Sequence, residues 1–376
     1  MTTAGLPPSP GTRDADDIAA WLRLTAAPGI GPTAAHRLLA AFGLPQQVLT
    51  QPLSTLAAVI PKPLALGLLA PPGQALREAI ARTVAWAAEP GHHLVTLADD
   101  AYPRRLLDLA DPPPVLYITG DLATLARPSV AIVGARGATQ QGLRDAESFA
   151  ASLSAVGLTI VSGLALGVDA AAHAGSLRGP GSTVAVTGTG ADRIYPARHK
   201  DLAHRIAAQG AILSEFPLGT PVLQHNFPRR NRLIAALAQG VLVIEAAERS
   251  GSLITARQAA DLGREVFAIP GSIHAPLSRG CHLLIRQGAK LVEGPQDVLE
   301  ELGTPAAALP AAPARPPAQP ETADTLLAAL AYDPVTPDVL CVRSGLPAEQ
   351  VVARLMTLEL AGAVERLPGN RYRRLA

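Results

Sequence analysis

Short apolar runs alternate with longer Ala/Leu-rich amphipathic stretches between Val115 and Leu302. Each run ends in a glycine-containing loop, and the runs predicted to be strands are residues 128–134, 158–163, 182–188, 211–216, 240–246 and 264–271, with a short one at 291–294. Alternation with helices implies parallel crossover connections, and near-continuous apolar strands imply burial on both faces. The pattern predicts an α/β fold with a Rossmann-like, doubly wound, mostly parallel sheet.

The N-terminal part has the 3.6-residue periodicity of helices. Apolar positions recur over 15–25 and 32–42, a Pro-Gly-Ile-Gly turn lies between them at 28–31, and further helical patterns continue to about Glu89. Two short helices joined by such a turn resemble a helix-hairpin-helix motif, whose backbone N–H groups can face DNA phosphates. A plain interhelical turn explains the same residues, and both interpretations stay open.

An Ala/Pro tract at 304–320 predicts a stiff extended linker before a C-terminal unit. That unit has a capped helix, two helices joined by Ser-Gly-Leu-Pro, and a Pro-Gly-Asn hairpin, which together predict a winged helix. The predicted organisation is a helical domain at 1–112, the Rossmann-like domain at 113–303, the linker at 304–320 and the winged helix at 321–376.

Charge is balanced over the whole chain but not within its parts. Lys+Arg number 32 and Asp+Glu 31, whereas from Arg127 to Lys290 there are 17 basic and 10 acidic residues. This local excess favours a repeated phosphate backbone as ligand. The unit at 321–376 has 6 basic and 7 acidic residues, which argues against strong duplex binding there. With only 3% aromatic residues, a ligand site built on many stacked bases is disfavoured.

The two cysteines, Cys281 and Cys341, lie far apart and form no Cys-x-x-Cys pair. This spacing argues against a zinc ribbon or a disulfide framework and fits the reducing cytoplasm. The first residues show no basic-then-apolar signal pattern, and no apolar run reaches the ~18 residues of a membrane span. A cytoplasmic protein without membrane insertion is therefore expected, with Cys281 as a small buried apolar residue.

Candidate ligand-binding residues follow the predicted strands, because ligands of parallel α/β sheets gather outside the carboxyl ends of the strands. Glycines let a backbone approach the ligand, arginines and lysine offer charged donors to phosphate, and a Ser-Gly-Ser segment before a helix forms an anion-binding nest. The predicted DNA-binding residues are Gly134, Arg136, Gly163, Gly167, Lys200, Phe227, Arg229, Arg230, Asn231, Arg232, Ser250, Gly251 and Ser252.

Structural explanations exist for the same positions. Arg136 could pair with a carboxylate, residues 227–232 could form a solvated helix start, and Ser250 could only cap its helix. Asp169 is expected to be an N-cap that orients its loop, and His173 to be a packed or capping histidine rather than a functional one.

Several enzyme signatures do not occur. The chain contains no G-x-x-x-x-G-K-[ST], no G-x-S-x-G and no H-E-x-x-H, and its first loop reads G-A-R-G rather than G-x-G-x-x-G. The histidines show no metal-ligand spacing on one helix. We therefore expect no catalytic residues, no cofactor and no metal.

Ordered blocks over residues 115–302 resemble the DNA-processing protein A (DprA, also called Smf) family. They read VAIVGAR, IVSGLALGVDAAAH, RIYP, SEFPLGTPVLQHNFPRRNRLIAALA, VLVIEAAERSGSLITARQAADLGREVFAIPG and GCHLLIRQGA. The family also carries, in many bacteria, an N-terminal sterile-alpha-motif-like (SAM-like) domain and a C-terminal winged helix. The chain departs from the usual family pattern at Ala135, His199 and His282, where Ser, Asn and Asn are commoner.

The resemblance implies a homodimeric, non-enzymatic protein of natural transformation. Such a protein binds incoming single-stranded DNA, shields it, displaces single-strand-binding protein and loads a RecA-type recombinase. Carried onto this chain, the family blocks fall on Arg136, on Gly163 and Gly167, and on the segments 227–232 and 250–252, with Phe227 as a stacking platform for a base.

Two other functions remain open. A nucleotide-binding phosphoribohydrolase of the lysine-decarboxylase-like fold group would carry a P-G-G-x-G-T-x-x-E block, where this chain reads ERSGSLITA. A winged-helix transcription factor would bind a specific duplex tightly, which the charge of the C-terminal unit disfavours.

Overall fold

A computed structural model describes residues 14–303, 325–330 and 334–375. The predicted linker at 304–320 lies outside the described residues. The helices are α1 Ala15–Ala26, α2 Pro32–Phe42, α3 Pro45–Leu49, α4 Leu53–Ala57, α5 Lys62–Leu69, α6 Gln74–Ala87, α7 Gln140–Ala155, α8 Val168–Ser176, α9 Lys200–Gln209, α10 Asn226–Leu237, α11 Gly251–Asp261, α12 Arg279–Arg286, α13 Pro295–Glu301, α14 Thr325–Leu330, α15 Pro337–Ser344 and α16 Ala348–Leu360. The strands are β1 His92–Thr96, β2 Val115–Gly120, β3 Ser129–Val133, β4 Thr159–Ser162, β5 Thr183–Val186, β6 Ala211–Ser214, β7 Gly240–Val243, β8 Glu265–Ala268, β9 Lys290–Leu291, β10 Val364–Leu367 and β11 Arg371–Arg374.

Within the described residues, one nine-stranded sheet has the order β1-β2-β6-β5-β4-β3-β7-β8-β9. Strands β3 to β9 pair in parallel, whereas β1 and β2 are antiparallel additions at one edge. This confirms the predicted mostly parallel α/β sheet. The first strand of the sheet, β1, begins at His92, well before the predicted domain boundary at 112/113. It pairs with β2, and β2 pairs with β6, so both strands join the sheet through antiparallel pairing rather than through a crossover helix.

Side-chain alternation along the central strands fills two cores. Val130 and Ile132 of β3 face Phe149 and Leu153 of α7 and Ala172 of α8. Ala131 and Val133 face the opposite layer, which contains α10 and α11. Because both faces of these strands are buried, the strands are predominantly apolar, which is the pattern visible in the sequence.

Helices α1 to α5 of the N-terminal unit pack around Leu24, Leu38, Leu56 and their neighbours. Helix α6 packs against α1 in a second cluster, where Trp86 meets Ile18 and Trp21. Asp14 caps α1 by accepting the Asp17 backbone N–H, and Pro32 opens α2 where its missing N–H costs nothing. His36 Nε2 lies 2.9 Å from the Pro112 carbonyl oxygen, which ties α2 to the segment leading into the sheet. The predicted pair of short helices around the 28–31 turn is present, and DNA contact by that turn stays a prediction.

The C-terminal unit has the predicted winged-helix arrangement. Its core contains Leu326, Leu340, Val351 and Leu355, and β10 pairs antiparallel with β11. Gly345 ends α15 in the left-handed region with φ 69°, a conformation that favours glycine.

None of the helices in the described residues is both long enough and apolar enough to span a bilayer.

Candidate nucleic-acid interface

A cleft of about 620 Å³ opens at the carboxyl ends of the parallel strands. Its wall draws on the loops after β3, β4, β5 and β7 and on one face of α10. Eight of the predicted residues line it: Gly134, Arg136, Phe227, Arg230, Asn231, Ser250, Gly251 and Ser252. The loops converge because parallel strands end at the same edge of the sheet.

Phe227 is the aromatic centre of this cleft. The Arg136 guanidinium carbon lies 5.7 Å from the centroid of its ring, and that of Arg230 lies 6.0 Å away. Tyr195, which is exposed, has its ring centroid 5.7 Å from that of Phe227 at a tilt of 42°. Two aromatic rings flanked by two cations can stack a nucleobase and hold its phosphate.

Arg136 is the exposed cation of the cleft. It lies in the loop that Gly134 begins, and within the described residues no carboxylate comes within ion-pair distance of it. Its guanidinium therefore keeps its donors for a ligand, as a planar fork suited to phosphate oxygens.

Arg230 differs from Arg136 because it is buried and already bonded. Its Nη1 donates to the Gly163 carbonyl at 2.5 Å and to the Val186 carbonyl, and its Nε donates to Asn231 Oδ1 at 3.1 Å. Burial lowers the Arg230 pKa to about 10, so the side chain is still charged at pH 7. Arg230 thus places a fixed positive charge beneath the cleft floor.

Asp169 is the buried carboxylate of the same wall. Its Oδ2 accepts the backbone N–H groups of Gly163 at 3.1 Å and Ala165 at 3.3 Å. Burial raises its pKa, while Arg230 and these amides act in the opposite direction. The side chain orients the β4–α8 loop, although the helix cap itself is Gly167.

His173 lies directly below that loop and is fully buried. Its Nδ1 lies 2.7 Å from Thr183 Oγ1, and its Nε2 accepts the Leu164 N–H at 3.3 Å. Burial lowers the His173 pKa to about 3, with Arg230 adding to the effect. The histidine is a neutral packing residue, in agreement with its expected role.

The Ser250–Ser252 segment caps α11 and also faces the cleft. Ser250 Oγ accepts the Ser252 N–H at 3.3 Å and lies 2.6 Å from Ser252 Oγ. Gly251 is exposed, and a methyl group added to it would meet nothing within 4 Å. The helix cap is therefore present, and ligand binding by the same segment stays a prediction.

Five predicted residues do not line the cleft. Gly163 lies under the Arg230 guanidinium, and Gly167, with φ 76°, packs against the Ala135 carbonyl oxygen. Lys200 is exposed at the start of α9. Arg229 and Arg232 point to the other side of α10, toward Glu215.

Glu215 follows β6, and its side chain is 1% exposed. Its Oε2 lies 2.5 Å from Arg232 Nη2 and 3.3 Å from Arg229 Nη2, and Arg232 also lies 3.5 Å from Asp111. Burial raises the Glu215 pKa, while the two arginines hold it down. This cluster fixes the orientation of α10 and thereby the direction in which Phe227 and Arg230 point.

Tyr195 is the aromatic cleft residue that the sequence prediction omitted. Its Arg-Ile-Tyr-Pro block follows β5, and aromatic residues make up only 3% of the chain. An aromatic residue in a strand-end loop of so aromatic-poor a chain was the available signal.

Family models and relatives match this chain. The model "DNA recombination-mediator protein A" matches residues 93–303, and "DprA winged helix domain" matches 310–370. Protein Smf of Escherichia coli K12 is 44% identical over 304 residues, covering 79% of this chain and 81% of that protein. The DNA processing protein DprA of Streptococcus pneumoniae R6 is 48% identical over 206 residues, covering 55% and 73%.

Solved structures agree with these matches. The X-ray structure of DprA from Streptococcus pneumoniae superposes with a TM-score of 0.67 at 37% identity, covering 76% of this chain and 97% of that one. A structure of DprA from Helicobacter pylori, described by its single-stranded DNA binding mode, gives a TM-score of 0.51 at 33% identity, covering 56% and 95%. On these matches, the chain belongs to the DNA recombination-mediator protein A family.

Proposed function

We propose that this protein binds single-stranded DNA in the cleft at the carboxyl edge of its sheet. The observation that carries the proposal is the exposed Arg136 guanidinium beside the Phe227 ring, with Tyr195 next to it and Arg230 beneath. A flexible single strand can turn a base onto these rings, whereas a duplex keeps its bases stacked inside. The Helicobacter pylori relative is described by the same ligand class.

Each part of the cleft has a role in this proposal. Arg136 donates to a phosphate, Phe227 and Tyr195 stack a base, and the backbone of Ser250–Ser252 receives a second phosphate. Arg230 adds a fixed charge, and Asn231, which accepts from Arg230, orients it. Gly134 lets Val168 pack against the start of the Arg136 loop. Lys200 is a phosphate contact outside the cleft wall, and Gly163, Gly167, Arg229 and Arg232 hold the cleft in shape.

The biological role that we infer is protection of incoming DNA during natural transformation and loading of a RecA-type recombinase onto it. Displacement of single-strand-binding protein, a homodimeric state and a cytoplasmic location belong to the same proposal, which rests here on family membership. We propose a non-enzymatic protein because the carboxylate of the described cleft wall, Asp169, is engaged by two backbone amides. Release of a free base from a nucleoside monophosphate would instead support the phosphoribohydrolase alternative.

A salt titration with the full-length chain tests DNA binding. Wild type is expected to prefer an oligothymidylate of about 20 nucleotides to the matching duplex, and Arg136→Ala to weaken the complex and reduce the salt slope by about 0.7. Arg205→Ala, which removes an exposed arginine of α9 that does not line the cleft, is the matched control. Equal affinity for both DNA forms, or equal effects of the two variants, would contradict the proposal.

Recombinase loading needs a separate measurement. RecA filament formation on DNA coated with single-strand-binding protein should become faster when wild-type protein is added. Arg136→Ala should lose this stimulation in proportion to its lost DNA affinity. Stimulation that survives in a variant unable to bind DNA would disconnect the two activities.

A further inference from the structure

Charge in the C-terminal unit is divided between its helices and its hairpin. Residues 364–374, which form the β10–β11 hairpin and are called the wing below, contain Arg366, Arg371, Arg373 and Arg374 but Glu365 as their single acidic residue. Six of the seven acidic residues of the unit therefore lie outside the wing. The near-neutral total, which argues against nucleic-acid binding by the unit as a whole, conceals this separation.

Helix α16, the second helix of the helix-turn-helix pair α15–α16, presents an apolar stripe to solvent. Val352, Met356 and Leu360 are spaced by four residues and are 55%, 66% and 86% exposed. Arg354 is two positions from both Val352 and Met356 and so projects from the opposite side of the helix. A helix that reads DNA needs cationic or amide side chains on its outer face, so the basic wing is the better nucleic-acid contact.

The wing docks on the first turns of α7, the helix that follows the Arg136 loop. Glu365 Oε2 accepts the Gln140 backbone N–H at 3.1 Å, and Arg144 Nη2 donates to the Gly362 carbonyl at 2.7 Å. Glu365 is buried there and pairs with Arg373. Gln140 is four positions after Arg136, so the docked wing lies beside the cleft at the same edge of the sheet.

Arg366 and Arg371 are exposed near the tip of the wing. Arg366 lies 5.9 Å from the Tyr372 ring centroid, and its Nη2 is 3.4 Å from Asn370 Oδ1. Arg371 Nε donates to the Pro368 carbonyl at 3.2 Å. These partners are neutral, and in the described parts of the chain neither guanidinium has a carboxylate at ion-pair distance.

We propose that the wing is a second contact site for the same single DNA strand, which leaves the cleft at Arg136 and continues onto Arg366 and Arg371. The inference rests on the proposed function of the cleft. The ligand chemistry is the phosphate backbone, so the wing contributes affinity without sequence preference. Docking on α7 holds the two sites at a fixed separation, which raises the effective concentration of the second site once the first is filled.

Oligonucleotide length separates the two sites. An oligothymidylate of about 6 nucleotides fills the cleft alone, whereas one of about 20 nucleotides reaches the wing. In the full-length chain, the double variant Arg366→Ala, Arg371→Ala should bind the short strand normally. It should bind the long strand about tenfold more weakly, with a salt slope reduced by about 1.4 for two lost phosphate contacts.

The control removes the same charge from the helices of the same unit. Arg343→Ala, Arg354→Ala should leave both affinities near wild type, because neither residue belongs to the wing. Equal losses in the two double variants would show a general charge effect and overturn the inference. The inference would also be overturned if Arg366→Ala, Arg371→Ala weakened binding to a duplex but left binding to the long single strand unchanged.

Glu365→Ala tests the docked arrangement by the sign of its effect. Removing an acidic residue beside DNA should strengthen binding by simple electrostatics, whereas loss of the Gln140 contact should weaken binding to the long strand alone. We expect Glu365→Ala to bind the long strand more weakly. Tighter binding of the long strand would contradict a strand that runs from the cleft onto the docked wing. If wild type fails to bind the short strand, the proposed function of the cleft fails. If it binds the short strand but the wing variants change nothing, only the inference about the wing fails.

Discussion

The guanidinium carbon of Arg136 lies 5.7 Å from the ring centroid of Phe227, although the two residues are 91 positions apart in the sequence. The loop after β3 brings one and the first turn of α10 brings the other. A cation beside an aromatic ring is suited to a ligand that alternates phosphates with planar bases. Charge, base stacking and structural support of the cleft contribute separately to binding and stability, and single substitutions distinguish them.

Phe227→Leu should weaken binding of single-stranded DNA by about tenfold or more, because the stacking of one base contributes roughly 1–3 kcal/mol. The salt slope should stay that of wild type, since no phosphate contact is lost. Fluorescence anisotropy at several salt concentrations measures both. Phe227→Tyr keeps the ring and should bind nearly normally, and a similar loss in both variants would argue against stacking.

Arg232→Ala should lower stability rather than act on DNA directly. It leaves the buried Glu215 carboxylate without its shorter ion pair, at a cost of about 3 kcal/mol. Arg229→Ala, which removes the longer and more exposed partner, should cost much less. Urea unfolding followed by circular dichroism compares the two, and an equal stability of both variants would contradict the assigned support role.

Gly167→Ala should destabilise the fold strongly. The position has φ 76°, and an added methyl would lie 2.2 Å from the Ala135 carbonyl oxygen. Gly251→Ala is the contrast, because its methyl would have open space around it. The melting temperature should fall by several degrees in the first variant and stay close to wild type in the second. If Gly167→Ala kept the melting temperature of wild type, the loops after β3 and β4 could not be packed as closely as the structure shows.

Stability should decrease as pH falls below 6.5 because of His173. Its pKa is lowered from 6.5 to about 3 in the folded protein, so only the unfolded state takes up the proton in this window. The contribution of His173 is complete above pH 6.5 and is lost progressively on acidification, by about 1.4 kcal/mol per pH unit. Unfolding free energies between pH 7 and 5 measure it. His173→Asn, whose amide can still donate to Thr183, should remove this dependence of the unfolding free energy on pH. If the pH dependence were unchanged in the variant, another titrating group would be its cause.

Much of the fold was predictable from local patterns. Apolar strands and amphipathic helices alternate from β3 to β9, and Gly and Pro mark the turns of the winged helix, so periodicity alone indicated both architectures. The strands β1 and β2 were not predicted, because an antiparallel edge depends on pairing with β6, which is distant in sequence. The order of family blocks indicated the family, and the comparisons confirm it.

The kinds of residue that follow the strands are predictable from the sequence, because they occur in local blocks such as the segment 227–232. Which of those residues share a cleft wall depends on tertiary contacts. The rotation of α10 sends Phe227 and Arg230 into the cleft and Arg232 toward Glu215, and the buried ion pair of Arg232 with Glu215 sets this rotation. Docking of the wing on α7 likewise depends on Glu365 meeting Gln140 across 225 positions. Local periodicity specifies elements, but contacts between remote residues specify how the elements are turned toward one another.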